Sequence, residues 1–182
     1  QQYLKLRAFE YCNADFVMFG DSDCIHDHMI NLQDFIVDDK PEILYTDWNK
    51  VGDAITWKKP TEEFLRDEVP FEGMRRNNMI FHWSTLVNIS RFRPDLQELV
   101  MGSEKFSEFN AMSAYAYKFE REKYNFVDTD HWTYTRPKAI QLWSHASKSS
   151  DSATHKEEWK RTTDTIVSIF GKDIVNEKIK CL

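Results

Sequence analysis

A short apolar run that ends in an acidic turn constrains the fold of this chain more than any other feature. The segment FVMFGDSD places four apolar residues, 16–19, directly before Gly20 and the acids Asp21 and Asp23. A short continuous apolar run that ends at a turn signal is typical of a buried β-strand. We therefore expect a buried strand over residues 16–19, with both carboxylates just beyond its carboxyl end.

The spacing of the two acids favours a metal site. Asp21 and Asp23 are two residues apart, so in an extended segment their side chains point in the same direction. In open α/β sheets, ligands bind at the carboxyl ends of strands. Two like charges so close repel each other unless a cation relieves them, and Mg²⁺ or Mn²⁺ binds carboxylate oxygens while keeping positions open for substrate phosphates. A solvated Asp-Ser-Asp turn is the alternative.

Composition excludes several classes of protein. With 182 residues, 41% hydrophobic and 30% charged, the chain has the composition of a globular protein rather than a disordered one. Its net charge of −6 offers no electrostatic footprint for nucleic acid. We see no apolar run long enough to span a membrane and no secretion signal. Three scattered cysteines, Cys12, Cys24 and Cys181, fit a reducing compartment, so we expect a cytoplasmic protein.

Strands and helices are predicted to alternate along the rest of the chain. Hydrophobic patterning predicts strands at 43–45, at 79–83, ending at 127 and at 139–143. It predicts helices before residue 13, at 29–37, at 61–67 with Thr61 as cap, after the cap Ser84, at 105–124 and from about 155. This order indicates an α/β or α+β fold in a single domain, residues 1–182.

The acidic turn carries a resemblance to a known family. QQYLKLRAFEYCNADFVMFGDSDCIH resembles the DxD region of nucleotide-sugar-dependent glycosyltransferases with the GT-A fold, and is similar to a poorly characterised bacterial and phage group of them. MRRNNMIFHWSTL, KFSEFNAMSAYAY and QLWSH fall in the same order as later blocks of that group. The resemblance implies a GT-A-like mixed sheet flanked by helices, with 1–148 as the catalytic core portion and 149–182 as a helical tail. It also implies that the first βαβ units, which hold the nucleotide base, are not in this chain.

The resemblance implies roles for individual residues. Asp23 would bind the metal directly, and Asp21 would hold the donor's ribose or share the ion. His145 matches a C-terminal histidine that often adds a metal ligand, and Lys148 would lie near the leaving diphosphate. Glu108 falls where such enzymes often have an acid facing the acceptor, although an acid near a helix N-terminus also interacts favourably with the helix dipole.

The remaining implied contacts are with the donor. Gln2 and Lys5, on the first helix, would face it. Because the leaving diphosphate gains negative charge, Lys148, Arg75 or Arg76 could add a positive group there. The expected activity is the transfer of a sugar from a nucleoside-diphosphate sugar to the hydroxyl of a glycan or other acceptor, with Mn²⁺ or Mg²⁺ as cofactor. Glu108 would deprotonate the acceptor if the enzyme inverts, and would position the sugar if it retains.

Two other function classes stay open. One is a non-catalytic module, derived from an enzyme fold, that binds carbohydrate or a partner. The other is a haloacid-dehalogenase-type phosphatase, which also has DxD after a strand, but Ile25 stands where that class normally has Thr or Val. An exposed sheet edge would favour a homodimer.

Several single residues have competing interpretations. Cys24, His26 and His28 could be zinc ligands, although structural zinc sites usually show four ligands in recognisable pairs. We expect His82 to be a structural histidine in a strand. Tryptophans such as Trp48, Trp57 and Trp83 more often pack in a core than bind sugars, and of these Trp48, in a predicted loop, is the one best placed to stack on a sugar ring.

Overall fold

The computed structural model describes residues 1–21, 24–26, 30–75, 78–131 and 139–141. The predicted site residues that lie outside the described residues are Asp23, Arg76, His145 and Lys148, together with His28 and the expected tail 149–182. The described residues belong to two compact units, one containing Gln1–Asp21 and the described part of Asn31–Arg136. In the other, strands Cys24–His26 and Ala139–Gln141 form an antiparallel ladder. The single domain over 1–182 stays a prediction.

The larger unit contains most of the described secondary structure. Its strands are β1 (Phe16–Phe19), β3 (Ile36–Val37), β4 (Lys40–Asp47), β5 (Phe71–Glu72), β6 (Met79–His82) and β7 (Asn125–Asp128). The ladder of the smaller unit consists of β2 (Cys24–His26) and β8 (Ala139–Gln141). Its α-helices are α1 (Gln2–Leu6), α2 (Lys58–Leu65), α3 (Trp83–Phe92), α4 (Leu96–Gly102) and α5 (Glu108–Phe119). Short 3₁₀ helices cover Ala8–Glu10, Leu32–Asp34, Trp48–Lys50, Gly52–Trp57, Arg121–Lys123 and Thr129–His131. In the part of the chain that the structure describes, no helix has the length and apolarity to cross a bilayer.

Strand β4 is the centre of a mixed sheet. It pairs antiparallel with β3 and with β5, and parallel with β7, in a register that sets Ile43 opposite Phe126. Strand β1 pairs antiparallel with β6, from Phe16 opposite His82 to Phe19 opposite Met79. The predicted α/β class is confirmed by this mixed sheet and the helices around it.

Strand β1 lies where it was predicted but is less buried than expected. Phe19 is 7% exposed, whereas Met18 is 46% exposed and Phe16 and Val17 are half-buried. Period-2 alternation explains this, because residue 18 points to the side opposite its neighbours. The apolar run therefore marks a strand with one face toward the core.

Several predicted segments have a different local structure. Ser84 does not cap α3, which begins at Trp83 with His82 at the N-cap. Residues 29–37 were expected to form a helix, but Asn31 caps only a 3₁₀ turn, and the chain then enters β3. Asp38 and Asp39 have positive φ, 52° and 61°, which forms the two-residue turn of a β3–β4 hairpin. Thr61 does not cap α2, which begins at Lys58; its hydroxyl donates to the Trp57 carbonyl inside the helix.

Helix α5 forms the core of the larger unit. Its apolar residues Phe109, Met112 and Ala116 are buried as the predicted stripe requires, while Phe119 is 45% exposed. The polar residues of its first half are buried as well: Glu108, Asn110 and Ser113. A buried polar side chain needs a hydrogen-bond partner, and these three residues find theirs around the first turns of α5.

Candidate functional site at the N-terminus of helix α5

The first turn of α5 begins at a capped and buried position. Ser107 precedes the helix, and its Oγ accepts hydrogen bonds from the backbone N–H of Asn110 at 3.3 Å and from the side-chain Nδ2 at 3.1 Å. Glu108 is the first residue of the helix and only 6% exposed. A carboxylate is favourable at the positive end of a helix, which explains why an acid is tolerated there.

Lys5 joins two of the predicted site acids. Its Nζ lies 2.5 Å from Asp21 Oδ1 and 2.7 Å from Glu108 Oε1, and 4.2 Å from the centre of the Phe109 ring. The lysine side chain is 11% exposed, that of Glu108 8% and that of Asp21 30%. Burial by itself lowers the pKa of Lys5, but the hydrogen bonds and charges of both carboxylates outweigh it and raise the pKa above its ordinary value. Lys5 is therefore a buried cation shared by two anions.

Gln2 attaches the same helix to the same turn. Its Nε2 donates to the carbonyl oxygen of Phe106 at 2.5 Å, just before α5 begins. Gln2 and Lys5 lie three residues apart on α1 and so project from one face of that helix. Both side chains, which the resemblance implies would face the donor, contact the start of α5.

On its other side, the turn binds the segment that follows β5. Asn110 Oδ1 accepts from the Gly73 backbone N–H at 2.8 Å, and Asn110 Nδ2 lies 3.3 Å from Glu72 Oε1. Glu72 is completely buried, and its Oε2 accepts from Arg75 Nε. Ser113 Oγ donates to the Gly73 carbonyl at 3.0 Å.

The described residues to which the resemblance gives a role at the donor, the acceptor or the metal belong to this one region. Asp21 and Glu108 are joined through Lys5, Gln2 binds the residue before the cap, and Arg75 reaches the turn through Glu72. Four segments meet there: α1, the loop after β1, the loop after β5 and α5. Asp23, His145 and Lys148 lie outside the described residues.

Sequence reasoning missed Glu72 and Asn110. The available signal was weak, because Glu72 is one acid between Phe71 and Gly73 and Asn110 is one polar residue within an apolar helical stripe. In each case, the sign of burial was a single polar residue with apolar residues around it.

The described residues supply only part of a metal site. Among them, no group of three or more His, Cys, Asp or Glu side chains is placed to hold an ion. Asp21 is the single predicted ligand described, and one of its oxygens binds the Lys5 ammonium. Asp21 offers the hard oxygen that Mg²⁺ or Mn²⁺ prefers, so it fits as one ligand, and the others would have to be Asp23 and His145.

The interpretation of Trp48 as a sugar platform is wrong. Its side chain is buried, at 4% exposure, and its indole Nε1 donates to the Val69 carbonyl at 2.9 Å. His82 is structural, as predicted: its ring packs against Phe16 and Tyr124, and Nε2 lies 3.2 Å from the Lys123 carbonyl oxygen.

An open cavity of about 430 Å³ lies away from these residues. It is formed at the amino ends of β4 and β7 by residues that include Glu42, Arg121 and Asn125. None of the predicted site residues lines it. We therefore place the candidate site at the α5 turn.

Comparison of the chain with protein-family models, with curated proteins and with solved structures gave no match. The function has to be inferred from the side chains of the site itself.

Proposed function

We propose that this chain is a metal-dependent glycosyltransferase domain of GT-A-like fold, which transfers a sugar from a nucleoside-diphosphate sugar to an acceptor hydroxyl. The observation that supports this most is the bridge that Lys5 makes between Asp21 and Glu108. The resemblance assigns these residues to donor and acceptor roles, and they come from three distant segments. A mixed sheet with a parallel β4–β7 pair is compatible with the expected fold.

In the proposed reaction, Glu108 acts on the acceptor. Lys5 holds its Oε1, and Oε2 is the oxygen that would accept the proton of the acceptor hydroxyl in an inverting enzyme. In a retaining enzyme the same carboxylate would orient the sugar. Because Lys5 also binds Asp21, the acceptor base and the donor-side acid are held at a constant separation.

The metal belongs to the donor side of the proposal. Asp23 and His145 would hold Mn²⁺ or Mg²⁺, with Asp21 sharing the ion or binding the donor's ribose. When bound, the ion would stabilise the negative charge that develops on the leaving diphosphate.

A thermal-shift measurement tests the donor site. Mn²⁺ together with UDP or GDP should raise the Tm of the wild type, because a ligand that binds only the folded state stabilises it. Asp23→Asn should abolish the shift, while Asp53→Asn, at an exposed position, should keep it. An identical shift in the Asp23 variant would exclude Asp23 as the main ligand.

A second function is favoured by one feature of the site. Since Lys5 forms an ion pair with both Asp21 and Glu108, each carboxylate has a cationic partner without a metal, as expected of a non-catalytic binding module. Turnover of a panel of UDP- and GDP-sugars, with a phosphomonoester included for the phosphatase alternative, separates the functions. Nucleotide binding with no transfer or hydrolysis would favour the module.

A further inference from the structure

A completely buried carboxylate next to the site has no role in the function proposed so far. Glu72 is 0% exposed and lies at the end of β5. Removing a carboxylate from water is costly unless it is paired and hydrogen-bonded. Glu72 meets both conditions, because Oε2 accepts from Arg75 Nε and Oε1 lies 3.3 Å from Asn110 Nδ2.

The backbone around Glu72 is held equally firmly. The N–H of Gly73 donates to Asn110 Oδ1, and its carbonyl accepts from Ser113 Oγ. A Cβ at Gly73 would lie 2.5 Å from the Ser113 Cβ, so only glycine allows this approach to α5. The loop that carries Arg75 is therefore attached to the buried face of the central helix.

Arg75 is the part of this network that reaches the surface. Its side chain is 29% exposed, in contrast to its buried partner. A guanidinium has five N–H donors in a rigid fork, of which Glu72 engages the Nε. The remaining donors have the geometry that binds phosphate oxygens well.

We infer that Glu72 is a positioning residue that holds the Arg75 guanidinium ready for the diphosphate of the donor. This inference rests on the proposed function, and it assigns Arg75 to the leaving group and Glu72 to the orientation of Arg75. Asn110 completes the support, since it binds Glu72, Gly73 and the helix cap Ser107. Arg75 then approaches the α5 turn from the β5 side and Lys5 from the α1 side.

The experiment measures the affinity of the full chain for UDP, GDP and inorganic pyrophosphate by calorimetry, with Mn²⁺ present. Arg75→Gln should weaken nucleoside-diphosphate binding by about tenfold or more, as expected for losing a charge-assisted contact. Arg75→Lys should lose part of this affinity, because the charge stays and the fork is lost. Arg121→Gln is the matched control, because Arg121 is exposed, stacks on Tyr117 and lines the separate cavity. The Arg121→Gln variant should bind the nucleoside diphosphates with wild-type affinity.

A double-mutant cycle tests Glu72. Glu72→Gln should weaken nucleotide affinity in the wild-type background and have no further effect in the Arg75→Gln background, because Glu72 acts through Arg75. A merely structural role would lower the Tm without this coupling in affinity. Equal losses of affinity in both backgrounds would overturn the positioning role.

The outcomes distinguish the two proposals. If the wild type and Arg75→Gln bind UDP or GDP equally well, the inference fails and the glycosyltransferase proposal stands. If the wild type binds pyrophosphate in an Arg75-dependent manner but no nucleoside diphosphate, the proposed function fails and the anion-binding role stands. If it binds none of the three probes, both are overturned.

Discussion

Lys5 Nζ lies 2.7 Å from Glu108 Oε1 although 103 residues separate them. The same ammonium lies 2.5 Å from Asp21 Oδ1, so one cation connects the first helix, the acidic turn and the central helix. Lys5, Asp21 and Glu108 therefore form one hydrogen-bonded unit.

Removing the Lys5 ammonium should destabilise the protein strongly. In Lys5→Met, two carboxylates would face each other with their cation gone, and we expect a loss of about 3 kcal/mol in the free energy of unfolding, as for other broken buried pairs. Urea denaturation at neutral pH measures it. Lys59→Met is the control, since Lys59 is 85% exposed and lies 3.9 Å from Glu63, and it should cost less than about 0.5 kcal/mol. Equal effects of the two substitutions would contradict the central position of Lys5.

Gly73→Ala should show how closely the β5 loop packs on α5. The added Cβ would lie 2.5 Å from the Ser113 Cβ, and such overpacking costs about 1–3 kcal/mol. Gly102→Ala meets no atom within 4 Å at the end of α4, and there alanine should be neutral or stabilising, by up to about 1 kcal/mol. Thermal unfolding of both variants gives the comparison. A Gly73 variant as stable as the Gly102 variant would mean that the loop can move away from the helix.

The ionised carboxylate of Glu120 should stabilise the folded protein at neutral pH, and this stabilisation should be lost in acid. Burial raises the pKa of this carboxyl, but hydrogen bonds from Thr85 Oγ1 at 2.5 Å and Asn88 Nδ2 at 2.6 Å, with the charge of Lys123, outweigh it and lower the pKa below the ordinary 4.5. A lowered folded-state pKa contributes stability that is present above about pH 4.5 and is lost as the pH falls through the folded value.

Glu120→Gln tests this dependence. The wild type should be more stable than the variant at pH 7, by about 2 kcal/mol, and the difference should shrink as the pH falls below about 4.5. Denaturation in urea across this range measures it, with the exposed Glu122→Gln as control. A difference that stays constant as the pH falls below about 4.5, until the wild type itself unfolds, would show that the ionised form of Glu120 is not what the network stabilises.

Trp48 should matter for stability and not for sugar binding. Trp48→Phe removes the indole N–H and leaves the buried Val69 carbonyl without its donor, which should cost about 1–3 kcal/mol. Because the ring is inside the core, the KM for any sugar donor or acceptor should stay within about twofold of the wild-type value once the variant is folded. A large increase in KM with unchanged Tm would restore the sugar-platform interpretation.

Local patterns were sufficient for the elements that define the fold. The apolar run of residues 16–19 predicted β1, and the Phe109, Met112 and Ala116 stripe predicted α5, because strand and helix periodicities are local properties of a chain. The same reasoning failed at residues 29–37, where Asn31 caps a 3₁₀ turn and the chain then enters β3, which a hairpin turn at Asp38 and Asp39 joins to β4. Turn chemistry there outweighed an apolar spacing compatible with a helix.

The sequence by itself determined β1, α5 and the position of the acidic turn after the first strand, since these depend on neighbours within a few residues. Only the tertiary structure decided that Lys5 meets both Asp21 and Glu108, that Glu72 is completely buried beside Arg75, and that Trp48 lies in the core. Charge partners and burial depend on which distant segments pack together, and a buried charge is stable only where that packing supplies its counter-ion.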